Sequence, residues 1–548
     1  MSYPRRDGGP VILIGLDALD EGLARRWAAS GDLPNLARLF ERSTVCTIDN
    51  PYGLFVGALW TSFASAQKPA RHGFHCWNEI DVQSYAFRNR APMPERYSSF
   101  WKQAGDQGLR VAAIDVPHSR APAELKGLEI VEWGCHDRHF GFHSQPPERA
   151  GALESEYGAH PVLGVDLYRI GDFASDDLAF RRALHRTPDE NAALVAGLVA
   201  GAETKGRMIS ALLAEQDWDL FIAVFGEPHA IGHQAWHLHD PDHPRFDPQA
   251  RDHVGGDPVL AVYRAIDDVL GRIIAQLDEG ATLLVQLSHG MAAHHDGGHL
   301  LAHVLARLDR AYSGRRPADG RALSRVTERL RAFATTMGIP ARLRGGISKL
   351  LGADGPGTIS GQAFFQEPNN SVVGGVRLNL IGREPGGKVR PEQADSLCAR
   401  IGSDLLGLVN EDTGRPAVTS IVRSDDFHQR SPRDTLPDLF VEWDRSAPVE
   451  RVSSPLIGRV EVPYTLWRTG DHRPEGLLLA SGPGLAPGAR VPAIAVEDIG
   501  PSVAARLGVM LTEIDGVAVP WLADAFVCDV GDARSAATLP AASQATPA

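Results

Sequence analysis

Short apolar runs closed by a turn or a polar residue recur along the chain. Val11–Leu16, Val111–Val116, Leu128–Trp133, Leu220–Phe225 and Thr282–Leu287 each span six residues. That length suits strands buried on both faces, as in a parallel sheet. Val372–Leu380, Leu439–Glu442 and Leu477–Ala480 continue the β pattern. Between the runs the spacing turns helical. Leu23, Ala24 and Trp27 follow the first run, a helix is expected to open near Val56, and Leu260, Tyr263, Ile266, Val269, Leu270, Ile273 and Leu277 mark an amphipathic packing helix. Strands alternating with helices, with polar residues at the strand ends, predict an α/β fold: a doubly wound, mostly parallel sheet flanked by helices.

The same pattern suggests domain limits. Residues 1–306 and 360–530 read as one α/β core, with 307–359 as an Arg-rich helical insertion or lid. Residues 531–548, rich in Ala, Ser, Thr and Pro, read as a disordered tail.

Composition narrows the function. The 548 residues carry a formal charge of −13, with 43% hydrophobic and 22% charged residues, an ordinary globular balance. An acidic chain argues against a nucleic-acid partner. A small anionic substrate remains compatible, because a bound metal ion would dominate its local field. Five cysteines without a CxxC pair exclude a disulfide framework or a thiolate zinc site. The six-residue run at Val11 is too short for a secretion signal or a membrane span, so a cytoplasmic protein without a membrane partner is expected. Oligomeric state leaves no mark in the sequence.

Candidate chemistry gathers around LFIAVFGEPHAIGHQAWHLH, residues 220–239. His229 and His233, at i and i+4, share one face of a helical turn just past a strand's carboxyl end. Two neutral imidazoles suit zinc or a similar borderline metal. An isolated HxxxH is more often two half-exposed histidines. Here it recurs with Asp17 behind the first strand, Ser288-His289 behind the run at Thr282, and His472 before a late strand, as in a metal site assembled from distant segments. His294, Asp296 and His299 add polar groups in a Gly-rich turn that a solvated loop would explain equally well. Asp115, His118, Glu132, His136 and Asp137 also follow strands, where such residues more often cap helices. Cys76, Trp60 and Trp236 read as packing, and Arg383–Glu384 as a structural pair.

Nine pieces in order then resemble one family: ILIGLDALD, LPNLARL, SFASAQKPARHGF, GHQAWH, LSHGM, NLIGREPGG, LPDLFVEW, GDHRPEG and EDIGPSVAARLGV, spread over Val11 to Leu522. They resemble the type I phosphodiesterase/nucleotide pyrophosphatase branch of the alkaline phosphatase superfamily. The resemblance implies an alkaline-phosphatase-like core holding two metals. His233 and His472 match ligands of one, and Asp17 and His289 match ligands of the other. Three positions depart from the family pattern. His229 replaces an Asp of the first site, Ser288 replaces an Asp of the second, and Val56 stands at the nucleophile's place. Thr61 and Ser62 lie a helical turn or more further on.

With Val56 there, a covalent enzyme intermediate is closed off. Three imidazoles with an open position can instead generate metal hydroxide near neutral pH. The expectation is therefore a metal-dependent hydrolase of a phosphate or sulfate ester or diester that uses metal-bound water. One tight Zn²⁺ site is expected, with a weaker second divalent ion at Asp17 and His289. Ser288, Asp296 and His299 are the catalytic candidates beside the ligands Asp17, His229, His233, His289 and His472. Two alternatives stand beside it: a catalytically silent protein that binds a metal or an anion, and other metal chemistry at a three-His site.

Overall fold

Every residue of strand β1 (Val11–Leu16) is buried in the computed structural model. The model describes residues 9–81, 84–89, 96–135, 138–162, 186–314, 359–369, 372–430, 435–462 and 468–523. Ile12, Ile14 and Leu16 enter one apolar cluster and Val11 and Leu13 another, so the alternation of a strand feeds two faces. The same holds for the apolar strands that pair with it. The sheet contains β1, β2 (Thr44–Asp49), β3 (Val111–Ile114), β4 (Gly127–Val131), β5 (His143–Gln145), β6 (Leu220–Phe225) and β7 (Thr282–Leu287). A two-stranded ribbon is made by β8 (Gly290–Ala293) and β9 (Gly470–Arg473). Two further sheet strands are β10 (Gly476–Ser481) and β11 (Arg490–Ala495). The nine-stranded order is β11-β2-β10-β7-β1-β6-β3-β4-β5. The central five strands, β7 to β4, are parallel, while β10 and β5 run antiparallel to their neighbours.

Helices cover both faces. One carries α1 (Phe55–Ser65) and the helices at Phe100–Asp106 and Ile499–Arg506. The other carries α2 (Pro188–Glu215), α3 (Glu227–His239) and α4 (Pro258–Ile274). The expected doubly wound, mostly parallel α/β sheet is thus what the chain forms. β1, β6 and β7 have the limits their apolar runs predict. The runs at Val111 and Leu128 yield shorter strands, because Asp115 and Glu132 turn to φ of 54° and 58° and end them.

After α5 (Gly298–Tyr312) the chain builds a separate four-stranded sheet from Phe364–Glu367, Val373–Leu378, Val418–Arg423 and Leu439–Trp443. It has its own apolar cluster. Arg383 and Glu384 pair there at 2.7 Å, tied further to Arg377 and Asp438. Of the expected insertion at 307–359, the first residues continue α5, and 315–358 lie outside the described residues. The expected tail at 531–548 also lies outside them. Cys46, Cys76, Cys135 and Cys398 are buried and unbridged. Among the described residues no helix is long and apolar enough to cross a membrane.

A charge cluster lies beneath the carboxyl edge of the parallel strands. Lys205 of α2, fully buried, stands 3.0 Å from Asp115 Oδ2 and 3.5 Å from Glu227 Oε1. It also donates to the carbonyls of Gly134 and Val224, both at 3.1 Å. Burial opposes its charge, but Glu227 and Asp115 outweigh burial and hold the amine above its usual range. Asp115 in turn accepts the backbone N–H groups of Trp133 and Gly134 at 2.7 and 2.8 Å. Since Glu227 opens α3, this cluster fixes how that helix leaves the sheet. Lys205→Met leaves two buried carboxylates without their cation and is expected to cost about 3–5 kcal/mol. Thermal unfolding checks it; a melting temperature equal to that of the unaltered chain contradicts the reading.

Candidate metal centre

Three imidazoles converge where β1, β6 and β7 end. His229 and His233 lie on one face of α3, and His472 reaches them from β9. The Nε2 atoms of His229 and His233 are 2.9 Å apart, and those of His233 and His472 are 3.1 Å apart. All three rings are buried. The far nitrogens decide the tautomers. His229 Nδ1 donates to Asp17 Oδ2 at 2.7 Å, and His233 Nδ1 donates to the Gly470 carbonyl at 2.8 Å. A carboxylate and a carbonyl only accept, so both Nδ1 atoms carry a proton and both Nε2 atoms face inward. Burial, reinforced by the neighbouring His289, His233 and His229, drives His472 well below the usual histidine range, which disfavours its charged form.

Three inward nitrogens at this spacing can share a cation between them. Zinc–imidazole bonds of ~2.0–2.1 Å at tetrahedral angles put ligand nitrogens about 3.3 Å apart. The residues fit a metal. Asp17 supplies the carboxylate partner that orients a ligating imidazole and raises its basicity.

The backbone holds this geometry by close approach. A Cβ on Gly470 would collide with the Gly232 carbonyl oxygen, so only glycine lets β9 lie against α3. Thr469 N–H donates to the His233 carbonyl at 2.7 Å, and Arg445 donates to the His472 carbonyl at 2.6 Å. Past His233 the helix breaks its regular course at Ala235 (φ −136°, ψ 18°).

Asp17 and His289 do lie together, but not as an open second site. Asp17 Oδ1 accepts from Trp60 Nε1 at 2.8 Å and from the Ser288 hydroxyl at 3.1 Å, while Oδ2 is held by His229. Burial pushes the Asp17 carboxyl up, but His229 above all, then His289 and Trp60, hold it well below its usual range. Ser288 Oγ also accepts from Ala18 N–H at 3.0 Å and lies 3.2 Å from His289 Nδ1. His289 stacks on His472 at 4.3 Å and is pushed down to about 4, chiefly by burial. A serine in place of a carboxylate removes one anionic ligand and turns a donor toward Asp17. Every Asp17 oxygen is then engaged by the chain itself, so these residues do not fit the second ion that the family pattern implies.

Val56 is the second residue of α1 and packs partly buried in an apolar cluster with Phe55 and Phe440. The Phe55 ring stands 6.0 Å edge-on to His289. Ser62 is committed elsewhere, with its hydroxyl 2.9 Å from His72 Nε2, and Thr61 is fully buried in the same helix. Asp296 and His299 are not members of the three-imidazole group itself. Asp296 contacts His294, which faces Asp471, and His299 sits in the first turn of α5. Asp115 and Glu132 are structural: Glu132 accepts from the N–H groups of His139, Phe140 and Gly141. His118 pairs with His139 at 3.0 Å, Cys76 Sγ donates to the Asn369 carbonyl, and Trp236 is buried packing. His136 and Asp137 lie outside the described residues. Sequence reasoning missed Lys205, whose burial carries no local signal, and Asp471, which directly precedes His472.

The sequence profile of the type I phosphodiesterase/nucleotide pyrophosphatase family matches residues 11–455. No curated protein matches the chain in sequence. Among solved structures, it is similar to murine ectonucleotide pyrophosphatase/phosphodiesterase 5 with 10% identity and a TM-score of 0.44, over 92% of this chain and 97% of that one. An inactive variant of the murine protein in complex with AMP gives 11% identity and a TM-score of 0.45, over 93% and 97% of the two chains. The human protein gives 12% and 0.42, over 92% and 97%. The profile match spans most of the chain and carries the assignment: this protein belongs to the type I phosphodiesterase/nucleotide pyrophosphatase family.

Proposed function

We propose that the chain is a metal-dependent hydrolase of a phosphate or sulfate ester or diester, with one tight zinc site at His229, His233 and His472. The observation that carries this reading is the convergence of three buried imidazole nitrogens, two of the rings held from behind by Asp17 and Gly470. A divalent ion there would polarise the substrate's oxygen and bring a coordinated water into the ionisable range near neutral pH. Asp17 holds the His229 ring and keeps its donor nitrogen pointing inward. Ser288 holds Asp17 in turn. Val56 offers no hydroxyl at the family's nucleophile position, so attack falls to water rather than to a side chain. A small anionic substrate suits such a site, since the ion supplies positive charge that the acidic chain lacks.

Protein purified without chelator is expected to hold about one zinc ion per chain, a three-imidazole set being a tight site. His233→Ala should lose that ion on gel filtration, while Cys76→Ala keeps it. Asp17→Asn should weaken zinc by about 10–100-fold, the usual cost of losing a ligand's orienting carboxylate. Elemental analysis and chelator competition read all three. Full metal content in His233→Ala means the three imidazoles are not the site.

The stereochemical course tests the water step. Direct attack by water is one displacement and inverts configuration at phosphorus, whereas a side-chain nucleophile gives two displacements and retention. A chiral phosphorothioate diester should therefore be hydrolysed with inversion, and no phosphoenzyme should be trapped. Val56→Thr restores the hydroxyl but leaves Ser288 in place of a carboxylate, so at most a weak covalent intermediate is expected. Retention in the unaltered chain would show that another side chain attacks. No turnover of any ester with zinc fully loaded would make the protein a binder rather than a hydrolase.

A further inference from the structure

Beside the three imidazoles lies a second buried group, made of different residues. His294, Asp296 and Asp471 bring one ligand atom each to within 4.8 Å of the others. Asp296 and Asp471 are 4% and 1% exposed. Each carboxylate is anchored by one oxygen and presents the other. Asp296 Oδ1 accepts from Gly298 N–H at 2.7 Å, and Asp471 Oδ1 accepts from His472 N–H at 2.8 Å. Beyond the His294 ring, their Oδ2 atoms have no hydrogen-bond donor among the described residues. His294 N–H donates to the Thr469 carbonyl at 3.0 Å, which fixes the backbone that carries the ring.

From this geometry we propose a second divalent-cation site at His294, Asp296 and Asp471. Burying two carboxylates in one small volume is costly without a cation, and a carboxylate oxygen of each lies with a His294 nitrogen inside 4.8 Å of one another. The neighbouring cations do not reach it. Arg468 stands 3.9 Å from Asp471 Oδ1, on the anchored side, and Arg445 donates to the backbone carbonyls of Asp471 and His472. A protonated His294 bridging the two acids is the simplest rival. Its Nε2 does contact Asp296 Oδ2, but Nδ1 lies 3.4 Å from Asp471 Oδ2, longer than the ~2.7–2.9 Å of a charge-assisted hydrogen bond, so the ring bridges on one side only. The longer separation is close to the ~3.4 Å between two donors that share an ion at about 2.1 Å and a tetrahedral angle. Two carboxylate oxygens and one imidazole form a harder donor set than three imidazoles, and favour an ion such as Mn²⁺. Asp471 joins the two groups, since its Oδ1 lies 4.0 Å from His472 Nε2. The second ion of this chain thus sits on residues other than Asp17 and His289, and the proposal stands whether or not the three-imidazole site turns over an ester.

The test is titration of the full chain, carrying one equivalent of zinc, with Mn²⁺ followed by paramagnetic resonance. The unaltered chain should remove one Mn²⁺ from solution. Asp296→Asn and Asp471→Asn should each bind it at least tenfold more weakly, with zinc content unchanged. His233→Ala should keep the Mn²⁺ site while losing zinc, which separates failure of one site from failure of the other. Should an Asp variant fail to fold, His294→Gln carries the same expectation. An Asp–His–Asp ion triad only is the outcome that overturns the proposal: no Mn²⁺ bound by the unaltered chain, or binding unchanged in the variants.

Discussion

The hydrogen bond from His229 Nδ1 to Asp17 Oδ2 joins the end of β1 to the first turn of α3, and the site's chemistry depends on it. It bridges 212 residues of sequence, yet it decides something as local as which ring nitrogen carries a proton. Once that nitrogen is committed to Asp17, the other faces His233 and the His472 ring. The Gly470 carbonyl does the same for His233. A site whose tautomers are fixed before any ligand arrives spends little on reorganisation. The convergence of the three rings is held in place by Thr469, Arg445 and the missing side chain of Gly470.

Much of the architecture was legible because parallel strands buried on both faces leave unbroken apolar runs. β1, β6 and β7 could be read to the residue. The strands at Val111 and Leu128 were read too long, since nothing local announces that Asp115 and Glu132 adopt positive φ. Their reasons lie in partners brought by tertiary structure: Lys205 and the Trp133–Gly134 backbone for Asp115, and three backbone N–H groups for Glu132.

The site was legible in part for a similar reason. His229 and His233 announce themselves by helical spacing, and His472 and Asp17 by their place at strand ends. Their roles are less visible than their identities. Asp17 reads as a ligand from the family pattern, but a single substitution at Ser288 lends it a donor and draws it into hydrogen bonds with the chain. Asp296 reads as part of the reacting centre by nearness in sequence to His289, while the fold turns it toward Asp471. Periodicity places a residue on a face of its own element; it does not say which distant strand that face will meet.

β10 runs antiparallel between β7 and β2, and β9, which carries His472, precedes it by only two residues. The strand that completes the middle of the sheet and the third imidazole are therefore delivered together, after the central parallel strands. A nascent chain that has already made Asp17, His229, His233 and His289 still has a gap between β7 and β2 and only two of the three converging imidazoles. Such a chain exposes unpaired strand edges until residue 481 emerges, the condition in which partly made proteins pair wrongly. The order of the strands couples the gathering of the three imidazoles to closure of the sheet, so that a product truncated before residue 470 achieves neither.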